Sequence, residues 1–97
     1  MANWQSAAHL IDHFGQHGWE LDCRTIEAYD ESAQQTLETG SYFEYEDPGT
    51  RRGRVGCYDR SSRRFVALTL DNDIITHYRC SVWHVRNLPH STYDDER

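Results

Sequence analysis

The feature that most constrains this chain is a change of hydrophobic period at Gly40. Before it, apolar residues recur at helical spacing. Ala7, Leu10, Ile11 and Phe14 follow i, i+3, i+4, i+7, and Ile26, Tyr29, Ala33 and Leu37 form a second stripe. After Gly40 the period is two: Phe43 and Tyr45 share a side in "SYFEYE", and Val55 and Cys57 share one in "RVGCY". A pattern written for one period does not bury its apolar residues in the other. The chain is therefore expected to make helices first and strands afterwards.

Local punctuation agrees. Ser6 and Thr25 are candidate N-caps, Glu27 favours the positive helix start, Gly18 is a candidate C′ residue, and Gly40 ends the second helix. Glu27, Asp30, Glu31, Gln34 and Glu38 are expected to face water. "EDPGTRRG" and "DRSSR" read as connections. "RFVALTL" and "IITHYR", joined by "DND", read as an antiparallel hairpin, and Val82, Trp83 and Val85 as an extension or cover of the sheet edge. The expected fold is α+β, with two N-terminal helices packed on a roughly four-stranded antiparallel sheet. Ninety-seven residues suit one small domain, here 1–93, followed by an acidic tail over 94–97.

Charge is unevenly placed. Residues 1–47 carry −9 and residues 48–90 carry +5, within a total of −6. There is no lysine, so every fixed side-chain cation is an arginine, the side chain best suited to bidentate phosphate contacts. Codon bias is the plain alternative for that usage. No run of about 18 apolar residues occurs and the N-terminus lacks the pattern of a secretory signal, which implies no membrane partner and a cytoplasmic setting. Cys23, Cys57 and Cys80 form no CxxC pair and read as free packing thiols.

His9, His13 and His17 are spaced by four and share one helix face. His13 and His17 could bind zinc with His9, Cys23 or Glu20 as a third ligand, but Phe14 stands where a zinc protease would carry its glutamate. They could equally be half-buried surface residues, or a proton-transfer pair. On the strand side His77 and Arg79 share a face. Arg51, Arg52, Arg54, Arg60, Arg63 and Arg64 flank the central strands, either as a phosphate track or as a solvated edge that discourages aggregation. Tyr42, Tyr45 and Tyr58 offer base-stacking faces or core packing.

Two blocks, "HFGQHGWELDCRTIEAYD" and "GRVGCYDRSSRRFVALTLDNDIITHYRCS", resemble the barnase–EndoU–colicin–RelE-like nuclease superfamily, in its phage and polymorphic-toxin branch. The resemblance spans about residues 9–93. It implies N-terminal helices before an antiparallel sheet, and metal-independent RNA cleavage without a cofactor. His13 and His17 match the two family histidines, Thr25 and Tyr29 the helix start, and Thr76 and Arg79 the late strand. His13 and His17 are then the acid/base pair in either order, Arg79 neutralises the phosphorane, and Thr76 and His77 assist. On this reading the phosphate track of Arg51, Arg52, Arg54, Arg63 and Arg64 would bind the substrate, and Tyr93, in a family-like "STY" tail, would either close the site or simply pack with the tail. The implied partners are RNA and, for a toxin, a cognate immunity or antitoxin protein. Gln16 replaces the family lysine, Cys80 its proline and Leu21-Asp22 its aromatic-glycine pair. Those departures point to slower chemistry or to a non-catalytic binding domain on the same fold.

Overall fold

A computed structural model describes residues 1–93; the expected acidic tail, 94–97, lies outside the described residues. The order is α1 (Ala7–His17), α2 (Ile26–Thr39), β1 (Ser41–Glu46), β2 (Gly53–Asp59), β3 (Arg64–Leu68), β4 (Ile74–Arg79) and α3 (Val82–Arg86). The four strands form an antiparallel meander in the order β1-β2-β3-β4. This is the expected α+β arrangement, with a third short helix added.

Both expected caps are present. The Ser6 hydroxyl accepts from the His9 N–H and the Thr25 hydroxyl from the Ala28 N–H. Gly18 ends α1 with right-handed dihedrals (φ −56°), not as a left-handed C′ glycine. Its reason is close approach: a Cβ there would lie 2.6 Å from the Phe14 ring.

The sheet is covered on both faces. On one, α2 brings Ala33 and Leu37 against Val55, Cys57, Val66, Leu68 and Ile74. On the other, Phe43, Tyr45, Tyr58, Phe65 and Ala67 pack under Val82 and Val85 of α3, Leu88 and Tyr93. The segment expected at a sheet edge is thus a helix that roofs a face. α1 lies along β4 and touches α2, so it closes a flank of the first layer. Asp30 and Gln34 depart from their expected solvent role. Asp30 accepts from the Trp4 indole N–H at 2.9 Å, and Gln34 exchanges hydrogen bonds with the Ala2 backbone, fixing the N-terminal segment.

Each outer strand carries a partial guard. The Ile74 N–H donates to Asn3 O and the Gln5 N–H to Ile74 O, beside β4. Glu46 N–H donates to Pro89 O, and Thr92 N–H to Glu44 O, beside β1. Covered edges do not recruit foreign strands.

Candidate functional site

The three helix histidines form a column on α1. His9 and His13 stack with ring centroids 6.0 Å apart, and His13 and His17 with centroids 5.9 Å apart. At the foot of the column, His17 Nδ1 meets the Glu20 carboxylate at 2.7 Å. The His17 ring also lies 5.3 Å from that of Tyr78 on β4, and the Tyr78 hydroxyl is 2.9 Å from His84 Nε2. His13 is half-buried, with Nδ1 buried and without a hydrogen-bond partner among the described residues. Its pKa is lowered, first by burial and then by His17, with Asp12 opposing. His13 is therefore held in its neutral form near pH 7.

Arg64 and Arg79 face each other across β3 and β4, on the α2 side of the sheet. Directly opposed like charges are unfavourable unless something anionic lies between or beside them. Arg64 is held: its guanidinium donates to the Ser32 hydroxyl and, at 3.4 Å, to the Leu21 carbonyl. Arg79 is exposed. Because Leu21 follows Glu20, the Arg64 contact ties the His17–Glu20 turn to this arginine pair. The His17–Glu20 turn and the Arg64–Arg79 couple thus share one end of the molecule, with His13 one helical turn further back on α1.

Two other nominated residues do not. His77 is 0% exposed. Its Nδ1 faces the Phe65 carbonyl at 2.9 Å, its Nε2 the Ser32 hydroxyl at 2.8 Å, and the Tyr29 hydroxyl donates to its backbone carbonyl at 2.5 Å. Burial pushes its pKa down to about 4. His77 is a satisfied core residue with no open edge for substrate. Thr76 lies on the opposite face, in a hollow of about 190 Å³ with Tyr45, Arg54, Tyr78 and His84, its hydroxyl buried and unpartnered among the described residues. Neighbouring strand residues point to opposite faces, so Thr76 and His77 cannot serve one site.

The arginine track also divides. Arg51, Arg52 and Arg54 lie at the β1–β2 end, whereas Arg63 and Arg64 lie at the β2–β3 turn, on either side of a seven-residue strand. That strand separates them by about 20 Å. Only the second group accompanies His17 and Arg79. Arg51 and Arg63 both sit at φ 60°, in left-handed turn positions.

The tyrosines offered for stacking are used otherwise. Tyr45 and Tyr58 are buried, Tyr58 donating to the Cys80 carbonyl, and the Tyr42 hydroxyl donates to Leu37 O. Tyr93 packs edge-on against Phe43 and Tyr58, within the core cluster on the α3 side of the sheet. The cysteines are free, and burial pushes the Cys57 and Cys80 thiols up to about 12, which keeps them protonated and inert. Among the described residues no three His, Cys, Asp or Glu side chains are grouped to hold a metal ion, which leaves the zinc alternative without a third ligand. None of their helices is long and apolar enough to cross a membrane.

Sequence reasoning weighed Glu20 only as a metal ligand, although its i+3 spacing from His17 was the signal for a direct pair. It passed over Tyr78, the neighbour of Arg79, and Trp19, which is 91% exposed beside the His17–Glu20 pair. No protein-family model, curated protein or solved structure matches this chain.

Proposed function

We propose that the protein is a metal-independent endoribonuclease of toxin or phage origin, acting at the exposed end of α1. The observation that carries this reading is the 2.7 Å His17–Glu20 pair in the turn that Arg64 ties to the Arg64–Arg79 couple. RNA cleavage without metal needs a base for the 2′-hydroxyl, an acid for the 5′-oxygen and fixed positive charge for the phosphorane. His13, held neutral, takes the 2′-hydroxyl proton. The 2′-oxygen attacks the adjacent phosphorus and the P–O5′ bond breaks, leaving a 2′,3′-cyclic phosphate. His17 gives its proton to the departing 5′-oxygen, and Glu20 balances the charge of His17 whenever it carries that proton. Arg79 contacts the phosphoryl oxygens while Arg64, anchored on Ser32, supports the local potential. Each proton taken by His13 places charge on a ring whose Nδ1 has no partner among the described residues, so slow turnover is expected.

The test is incubation of purified protein with total RNA in excess chelator. His17→Ala and Arg79→Ala are each expected to lower the cleavage rate at least about 100-fold. Cleavage at the wild-type rate in His17→Ala overturns the assignment. If the activity is toxic, a cognate immunity protein would cover the Arg63, Arg64 and Arg79 end.

A second reading, a binding domain without turnover, is favoured by the placement of the concavities. The 530 Å³ hollow lies between α2 and the β2–β3 turn, lined by Ser32, Gln35, Thr39, Asp59, Ser62 and Arg64 among others, and not beside His13. RNA binding with no product at high protein concentration would support it.

A further inference from the structure

We infer that Trp19, Asp22 and Arg24 form a nucleobase subsite beside the His17–Glu20 pair, taking an unpaired base that carries an exocyclic amino group. The inference rests on the RNA reading above and names the part of the substrate that reading leaves unspecified.

Trp19 presents almost its whole indole to solvent, at 91% exposure. Large aromatic side chains are rarely left so open in a well-held segment. The segment is well held. Leu21 N–H and Cys23 N–H both donate to the Gly18 carbonyl, and Asp22 N–H donates to Trp19 O. Gly18 is pressed against Phe14, and Leu21 is only 1% exposed. Arg64 and the Cys23 thiol both reach the Leu21 carbonyl. Asp22 accepts a left-handed backbone, φ 59°, to complete the turn. The indole is thus displayed by a fixed turn, which lowers the ordering cost of stacking a ligand on it.

The hollow beside it has a volume of about 410 Å³ and is lined by Trp19, Asp22, Cys23 and Arg24. One aromatic wall, one carboxylate and one guanidinium describe a site for a flat neutral heterocycle with donors at its edge. The indole stacks on the base. Asp22 accepts from an exocyclic amine, as carboxylates do with cytosine N4. Arg24 meets the adjoining phosphate or a ring acceptor. A phosphate alone would be repelled by Asp22, and a purely apolar protein patch would leave both charges unpaired. Trp19 is two residues from His17, no more than about 8 Å along the chain, so a base held here adjoins a phosphodiester at His17.

Binding is read with RNA that cannot be cleaved. Fluorescein-labelled 2′-O-methyl hexacytidylate and hexauridylate are titrated by anisotropy at low salt, because the methylated 2′-oxygen cannot attack phosphorus. Wild type is expected to prefer the cytidine oligomer. Trp19→Ala should bind it about ten-fold more weakly, with an unchanged circular dichroism melting curve because the side chain is exposed. Trp19→Phe should keep most of the affinity. Asp22→Asn should retain binding but lose the preference over uridine. His17→Ala should keep the preference for the cytidine oligomer, so loss of cleavage there leaves the subsite standing. Conversely, Trp19-dependent binding by a wild-type protein that cleaves nothing would retain the subsite and remove the chemistry. Equal binding by wild type and Trp19→Ala overturns the subsite. So does absence of binding by wild type, including the case where Trp19→Ala only abolishes self-association.

Discussion

His77 and His17 lean against the same strand, yet one is core and the other is surface. His77 faces α2, with both ring nitrogens within hydrogen-bond reach of partners and no exposed area. His17 touches the Tyr78 ring from α1 and, among the described residues, spends only its Nδ1 on a neighbour, Glu20. The difference teaches that residue type does not decide the role of an imidazole here; the number of ring nitrogens already engaged does. A ring with both nitrogens bonded holds structure together. A ring with one nitrogen free and one oriented can exchange protons with a ligand.

If that contrast is right, substitutions should divide between stability and activity. His77→Leu is expected to have the largest effect, a loss of about 3 kcal/mol. It removes the N–H from the Phe65 carbonyl and strands the Ser32 hydroxyl, to which Arg64 is attached. Urea unfolding monitored by circular dichroism measures it. A change below about 1 kcal/mol would mean that the network tolerates its own removal.

Acid should act nearly as strongly, through the same ring. The His77 pKa is lowered to about 4 in the folded protein, against 6.5 in an unfolded chain. Above pH 6.5 both states hold the ring neutral and no penalty applies. As pH falls from 6.5 towards 4 the unfolded chain binds a proton that the folded one refuses, so stability falls by about 3 kcal/mol over that window. His13, also lowered, adds in the same direction. Urea midpoints at pH 7.5 and pH 4.5 test this. His77→Leu should lose most of the slope, whereas a slope unchanged in that variant would place the acid sensitivity elsewhere. Ser32→Ala, which deletes the hydroxyl shared by Arg64 and His77, should cost about 1–2 kcal/mol at pH 7.5 in the same assay.

Much of this division is legible in the sequence. The caps at Ser6 and Thr25, the stripe through Tyr29 and Ala33, and the hairpin around residues 71–73 follow from local rules, because they need no partner distant in sequence. The burial of His77 was half legible. Alternation puts it on a face with Arg79, but only its register with Val66 reveals that α2 covers that part of the face. Separation of Thr76 from His77 was fully legible from the two-residue period. The split of Arg51, Arg52 and Arg54 from Arg63 and Arg64 follows once those groups are seen to bracket one strand. The helix over Val82–Arg86 was hidden, since five residues are too few to display a helical period. The contacts of Glu20, Tyr78 and Trp19 depend on how α1 lies against β4, which no local pattern encodes.

The smallest stability effect is expected where the activity effect is large, at Glu20. The His17–Glu20 pair is partly solvated, with Glu20 42% exposed, so Glu20→Gln should change unfolding free energy by about 0.5 kcal/mol or less. The amide keeps a hydrogen-bonding oxygen near His17 Nδ1, so the ring stays oriented. What disappears is the negative charge that balances a protonated His17. Cleavage should therefore fall about ten-fold, with the alkaline limb of the pH–rate profile, which reports the general acid, displaced, while binding of the 2′-O-methyl oligomer stays at the wild-type level. A pH–rate profile that keeps its shape in Glu20→Gln would show that the carboxylate only positions the ring. A loss of 2 kcal/mol or more in unfolding would show that this end of α1 is built like the His77 core, and the contrast between the two histidines would no longer separate function from folding.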